Sequence, residues 1–166
     1  MGGIIFMDNF KLNPFQLIGK EWMLIAAGNE KKANAMTASW GGLGVMYGKD
    51  VVYVVIRPQR YTKEFVDRQG GFSLNFFGKG HREMLNYMGT VSGRDEDKIE
   101  KSSLSVTMSE NTPYFEEANL VLVCKNLFNQ TLSTDGLLDE GLKERWYTNG
   151  DEHTLYIAEI VQVIKK

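Results

Sequence analysis

The run VVYVVIRP (Val51–Pro58) constrains the fold more than any other stretch of the chain. Valine and isoleucine are stiff at χ1 and fit a pleated surface better than a helix. Apolar side chains occupy consecutive positions instead of alternating, so both faces of this segment are expected to be buried, as in a central strand. Pro58 has no N–H to give to a ladder and should end the strand. The 17 glycines against 3 prolines suit the tight turns of a strand-rich chain.

Further strands are expected at Glu21–Gly28, through ANAMTASWGGLGVM, at Phe72–Gly78, in LSVTMS, in ANLVLVCKNLFNQTL and at Leu155–Lys166. Gly41, Gly42 and Gly44 mark a bulge or a close backbone approach. TKEFVDRQGG reads as a short helix, with Thr62 as N-cap and Gly70 as its stop. GHREMLNYMG places Met84, Leu85 and Met88 at helical spacing, and DEDKIEK fits one or two turns. Segment 133–152 has weak periodicity and reads as a helical insertion or a surface loop. The sum is one domain over residues 1–166, mainly β with short helices, built as a small antiparallel barrel. Strands this closely spaced, with no GxGxxG, do not make a Rossmann fold.

Composition closes several routes. Nineteen basic and 21 acidic side chains give no bulk charge for nucleic acid, although local basic clusters could hold a small anion. The single cysteine, Cys124, excludes an internal disulfide and reads as a small buried hydrophobe. GGIIFM at the N-terminus is too short for a signal peptide, and no apolar run approaches the roughly 20 residues of a membrane span, so a cytoplasmic protein without a membrane partner is expected. Two distant histidines, His81 and His153, do not suggest a metal site. GxSxG, HExxH and the P-loop are all missing.

Three stretches could carry chemistry. RPQRYTK puts Arg57, Arg60 and Lys63 where a strand leaves and a helix begins, beside the Thr62 hydroxyl. Guanidinium groups, a hydroxyl and free helix N–H groups together make a phosphate site; a solvated basic turn is the plainer alternative. In NAMTASWGG, alternation sets Met36, Ala38 and Trp40 on one face and Thr37 and Ser39 on the other. Small side chains let backbone approach a flat ligand, Asn34 and the hydroxyls can bond its polar edge, and Trp40 can wall its side; a twisted edge strand with a packed Trp is the alternative. SGRDEDK brings Ser92, Arg94 and Lys98 to a polar turn that could equally be a solvated charge run.

In this order, NAMTASWGG, VVYVVIRPQRYT, FSLNFFG and SGRDEDK resemble the flavin reductase-like family of FMN-binding split barrels, nearest its flavoredoxin branch. EHTLYIAEI is similar to the family's closing strand, with Ala158 where a glycine is usual. The resemblance runs from Glu21 to Val163. It implies a split barrel that binds FMN noncovalently, usually as a homodimer with the flavin near the interface. It also implies site residues: Asn34, Thr37, Ala38, Ser39 and Trp40 along the first flavin-lining strand, and Arg57, Arg60 and Thr62 at the strand-to-helix turn. Asn75 and Phe76 would come from the next strand, and Ser92, Arg94 and Lys98 from the SGRD-x-DK motif. Some relatives use a histidine where this chain has Asn129 and Gln130; His153 is a candidate substitute. The activity implied is an NADH- or NADPH-dependent flavin reductase passing electrons to free flavin or a protein acceptor. The alternatives are an electron-transfer protein without nicotinamide activity, and a barrel for another flat ligand or none.

Overall fold

The structure, a computed structural model, describes residues 3–4 and 11–166; most of the GGIIFM stretch lies outside them. The strands are β1 (Gly3–Ile4), β2 (Met23–Gly28), β3 (Ala33–Ala38), β4 (Gly41–Met46), β5 (Lys49–Ile56), β6 (Gly71–Phe76), β7 (Val106–Ser109), β8 (Thr112–Phe115), β9 (Leu120–Thr131) and β10 (Thr154–Lys165). The helices are α1 (Pro14–Gln16), which runs into a π-helical turn over Leu17–Glu21, α2 (Tyr61–Gln69), α3 (Arg82–Thr90), α4 (Lys98–Lys101) and α5 (Glu140–Trp146). Mainly β structure with short helices is thus what the chain adopts.

One sheet runs in the order β3-β2-β6-β9-β10-β5-β4, with β1 added to β10, and β7–β8 form a separate hairpin. Every pairing is antiparallel. Register shifts at Ile157/Ala158 and Ile160/Gln162 bend the long β9–β10 ribbon. The two outermost strands, β3 and β4, are joined by Ser39 and Trp40 alone. Three Cα steps span at most ~11 Å, so the sheet must curl until its edges nearly meet. They do not pair, which leaves the barrel split. NAMTASWGG is therefore not one continuous strand. It crosses the gap, and its small and glycine residues sit where the two edges approach.

One core fills the inside of the curl, with Ile25, Val52, Val54, Ile56, Phe72, Leu74, Leu122 and Tyr156 packed against Phe65 and Val66 of α2. A second lies on the outer face of β2, β6 and β9, where α3 and the β7–β8 hairpin bring Leu85, Met88 and Phe115 onto Leu24, Ala26, Val121 and Val123. Here the expectation for Val51–Arg57 needs correction. The strands buried on both faces are β2 and β6. In β5, Tyr53 is 47% exposed and Val55 half-buried. On that outer face Tyr53 and Val55 line an open groove with Pro14, Phe15, Ile18 and Gly19. Cys124 is buried, with burial pushing its thiol pKa up, as expected of an inert core residue.

The helix ends are informative. Gly70 closes α2 in the left-handed conformation at φ 71°, with its N–H donating to the Val66 carbonyl. Thr62 is not the N-cap. Arg60 holds that place with no side-chain cap bond, and Thr62 lies inside the first turn. Pro113 sits in β8, a strand of the two-stranded hairpin, where a missing N–H is tolerated. The segment 133–152 contains a 3-10 turn at Thr134–Gly136 and α5, whose residues are not buried.

Candidate functional site

The α2 N-terminus, the end of α3 and β3 converge on two connected cavities. The smaller, about 120 Å³, lies between Asn34, the Gln59–Thr62 turn, the Thr90–Gly93 segment and Lys98. The longer, about 290 Å³, follows β3 from Met36 through Thr37, Ala38 and Ser39 to Trp40, and is bounded by Arg57, Arg60, Trp146 and His153. Met36 and Arg60 line both.

The smaller cavity is built for negative charge. Arg60 donates to the Gly89 and Thr37 carbonyls at 2.7 and 3.4 Å. Lys98, only 3% exposed, donates to the Met88 and Val91 carbonyls at 2.7 and 2.9 Å. Both therefore cap the carbonyl end of α3, which suits cations. Neither has a carboxylate partner among the described residues. Burial, and then Arg60, hold the Lys98 pKa down at about 8. Arg60 is likewise lowered by burial, and then by Arg57. Cations that are desolvated, close to each other and without a counter-ion are costly unless an anion joins them.

Neighbouring groups complete the cavity. The α2 N-terminus adds backbone N–H groups that no side chain caps. Asn34 Nδ2 donates to Thr62 Oγ1 at 2.9 Å, which leaves the Thr62 hydroxyl proton available to another acceptor. Gly93 is required beside them, because a Cβ there would overlap Asn34 Oδ1. Asp97 caps α4 by accepting from the Glu100 N–H at 3.1 Å, and so sets Lys98 at the first helical position, facing inward.

The longer cavity is aromatic. Trp40 meets Trp146 edge-on, with centroids 4.8 Å apart and planes at 81°, and lies 5.1 Å from His153. The Tyr147 hydroxyl and His153 Nδ1 are 2.8 Å apart. Burial, then the Arg57 charge, hold the His153 pKa down at about 4, so the ring is neutral near pH 7. Thr37 turns its hydroxyl to the Leu85 carbonyl at 2.5 Å and lines the cavity with its remaining atoms.

The sequence-predicted residues thus fall into four groups. Asn34, Arg60, Thr62, Ser92 and Lys98 surround the smaller cavity, while Thr37, Ala38, Ser39, Trp40 and Arg57 line the longer one. Arg94 stands on the outer rim, paired with Glu64, donating to the Gln59 carbonyl and lying over the Tyr61 ring. Asn75 and Phe76 are not at either cavity. Asn75 is fully buried, with Nδ2 donating to the Leu24 carbonyl and Ser73 Oγ and Oδ1 accepting from the Phe115 N–H. Phe76 packs in the inner core. Their strand, β6, is flanked on both sides in the sheet and covered on both faces, so it cannot reach a ligand. Arg57 reaches the cavity wall, but its guanidinium is committed to segment 133–152 through the Trp146 and Asp151 carbonyls and the Asp151 carboxylate. Sequence reasoning did not single out Trp146 or Gly93. Gly93 lies inside SGRDEDK and could have been flagged there; Trp146 sits in a segment with only weak periodicity.

Among the described residues, no group of His, Cys, Asp and Glu is placed to hold a metal, and no helix is long and apolar enough to cross a membrane.

A family model for the flavin reductase like domain matches residues 16–166. The chain belongs to that family. No curated protein matches the sequence. Among solved structures it is similar to flavoredoxin from Methanosarcina acetivorans (23% identity, TM-score 0.69, covering 95% of this chain and 75% of that one). It is similar to flavoredoxin of Desulfovibrio vulgaris (Miyazaki F) at 20% identity and TM-score 0.68, over 87% of this chain and 69% of that one. The NADH:FAD oxidoreductase of Streptomyces globisporus aligns at 14% identity and TM-score 0.64, over 88% and 75%. At these identities the likeness is one of fold.

Proposed function

We propose that this flavin reductase like domain binds FMN and works as an NADH- or NADPH-dependent reductase that passes electrons to free flavin or to a protein acceptor. The observation that carries the reading is the pair of half-buried Arg60 and buried Lys98 beside an uncapped helix N-terminus, neither paired with a carboxylate among the described residues. That set suits a phosphate monoester. The aromatic cavity opening from it suits a flat ring. A ligand carrying a phosphate at one end and a planar ring system at the other fits both, and FMN is such a ligand.

Arg60, Lys98, the Thr62 hydroxyl and the first N–H groups of α2 would hold the phosphate. Met36, Ala38, Ser39 and Trp40 would flank the ring, with Ser39 a hydrogen-bonding group at its edge. Bound there, the flavin supplies the hydride and electron chemistry. The chain's part is to bind, orient and exclude water. No carboxylate lines the longer cavity, and His153 is neutral with Nδ1 already engaged by Tyr147. No side chain is therefore placed as an acid or base for the hydride step.

A second copy of the chain is part of the proposal. The outer face of β4–β5 exposes Met46 and Tyr53, and Val45 and Tyr47 are exposed at the hairpin end. An adjoining groove of about 500 Å³ shares Ser39, Trp40 and Val55 with the ring cavity. A homodimer through this face would cover apolar surface and close the open side of the site. Light scattering at micromolar concentration should give twice the monomer mass; a monomer there would contradict the dimer. A cytoplasmic location is likewise proposed, since the electron donors named are small cytosolic molecules.

The function is tested by the absorbance of the FMN-loaded protein under anaerobic NADH and then NADPH. Prompt bleaching by one of them is expected, and it names the donor. A bound flavin that neither donor bleaches would replace the reductase with an electron carrier. A protein that takes up no FMN would overturn the reading.

A further inference from the structure

We propose that segment 133–152 is a lid over the ring end of the site, with Arg57 as its latch and Trp146 as the residue through which it controls passage of a flat aromatic ligand. This assignment rests on reading the longer cavity as a ring site.

The segment leaves the sheet at Thr131 and returns at Thr154, which are paired neighbours. Leu132 N–H donates to the His153 carbonyl at 2.8 Å and fixes the two ends together. Between those ends the segment has little apolar anchorage. No residue of α5 is buried, and Leu138 is fully exposed. Polar contacts hold it to the body instead, and those of its distal part come from one short turn. Arg57 donates to the Trp146 carbonyl at 2.9 Å and the Asp151 carbonyl at 3.3 Å, and pairs with the Asp151 carboxylate at 2.5 Å. Gln59 Nε2 donates to Asp151 Oδ2 at 2.9 Å. The Arg57 guanidinium also lies over the Tyr147 ring, 5.4 Å from its centroid. The result of these bonds is to set Trp146 edge-on against Trp40.

A segment with few buried apolar contacts opens at low free-energy cost, and one that is fastened at a single turn opens when that turn lets go. Closed, the Trp146 ring adds a wall to the cavity and keeps a flat ligand in and water out. Open, the Trp40 side of the cavity is free. With the β4–β5 side of the site covered by a second copy, a ligand passes the lid both on entry and on exit, and the lid sets its residence time.

The first test needs no flavin. Trypsin cleaves after Lys143 and Arg145, both in α5. In the full chain, Arg57→Gln should raise the cleavage rate at these sites at least tenfold. Asp151→Asn, which leaves Arg57 in place, should raise it in the same direction. Unchanged rates in both variants would overturn the latch. The second test uses the FMN-loaded protein. Arg57→Gln and Trp146→Ala should each speed FMN dissociation about tenfold, and the double variant should be no faster than either single one, because both remove the same closure. Additive effects, or a Trp146→Ala variant that releases FMN at the wild-type rate, would overturn the lid. If the wild type takes up no FMN while Arg57→Gln still exposes α5 to trypsin, the latch stands and the flavin reading falls.

Discussion

Replacing Lys98 with Met separates a structural lysine from one kept for an anion. The wild-type pKa lies at about 8 against an ordinary 10.5, a cost of at most ~3 kcal/mol for holding the charge in place. Against that cost stand two charge-assisted hydrogen bonds to the Met88 and Val91 carbonyls, worth ~1.5–3 kcal/mol each. Methionine has similar volume and removes both contributions. Stability at pH 7 should therefore fall by no more than ~3 kcal/mol, measured by urea unfolding. FMN affinity should fall whatever the change in stability, because a charged hydrogen bond worth ~2–3 kcal/mol is lost, roughly 30- to 150-fold in Kd. The pH dependence adds a signature. The folded value lies below the unfolded one, so the unfolded chain holds more protons between pH 8 and 10.5. Wild-type stability should gain from this group as pH rises through that window, and the variant should lack that gain. Quenching of flavin fluorescence gives the Kd. A variant that binds FMN as tightly as the wild type would refute the reasoning.

Other outcomes follow from single contacts. Gly93→Ala puts a Cβ into Asn34 Oδ1 and 3.2 Å from the Tyr61 ring; FMN affinity should fall at least ~10-fold for a stability cost of ~1–3 kcal/mol, by titration and urea unfolding. Tyr156→Phe loses the 2.5 Å hydrogen bond to Asp67 Oδ1 and should cost ~1–3 kcal/mol in urea, while Lys63 continues to pair with Asp67. His153 has a folded pKa of about 4 against 6.5, so the unfolded chain holds more protons between those values. Stability should fall as pH drops through that window, by ~1–2 kcal/mol after allowance for solvent screening, and His153→Asn should flatten the slope.

The sequence was a good guide wherever one stretch carried its own pattern. Gly70 and the spacing of Leu85 and Met88 marked α2 and α3 correctly because caps and helical periodicity are local. Arg60 and Thr62 were singled out at a strand exit and helix start and Lys98 at a separate polar turn, because each stretch is a local signal; that all three line one cavity is a matter of the fold. What could not be read was pairing across the sheet. The doubly buried strands proved to be β2 and β6, since α3 and the β7–β8 hairpin cover them from far along the chain. Asn75 looked like a ligand contact, but it serves the Phe115 N–H instead. Arg57 looked equivalent to Arg60, yet Asp151, 94 residues away, claims it. NAMTASWGG carried its meaning in composition, while the break at Ser39–Trp40 followed only from the two sheet edges meeting there.

In the proposed site the cavity beside α2 would hold a phosphate while the cavity beside Trp40 would hold a ring. Equilibrium titration of the flavin-free protein with FMN and with riboflavin, which has the same ring and no phosphate, tests it most directly. FMN should bind at least ~100-fold more tightly, since two cations and a helix N-terminus act on the phosphate alone. Equal affinity for the two would contradict the claim.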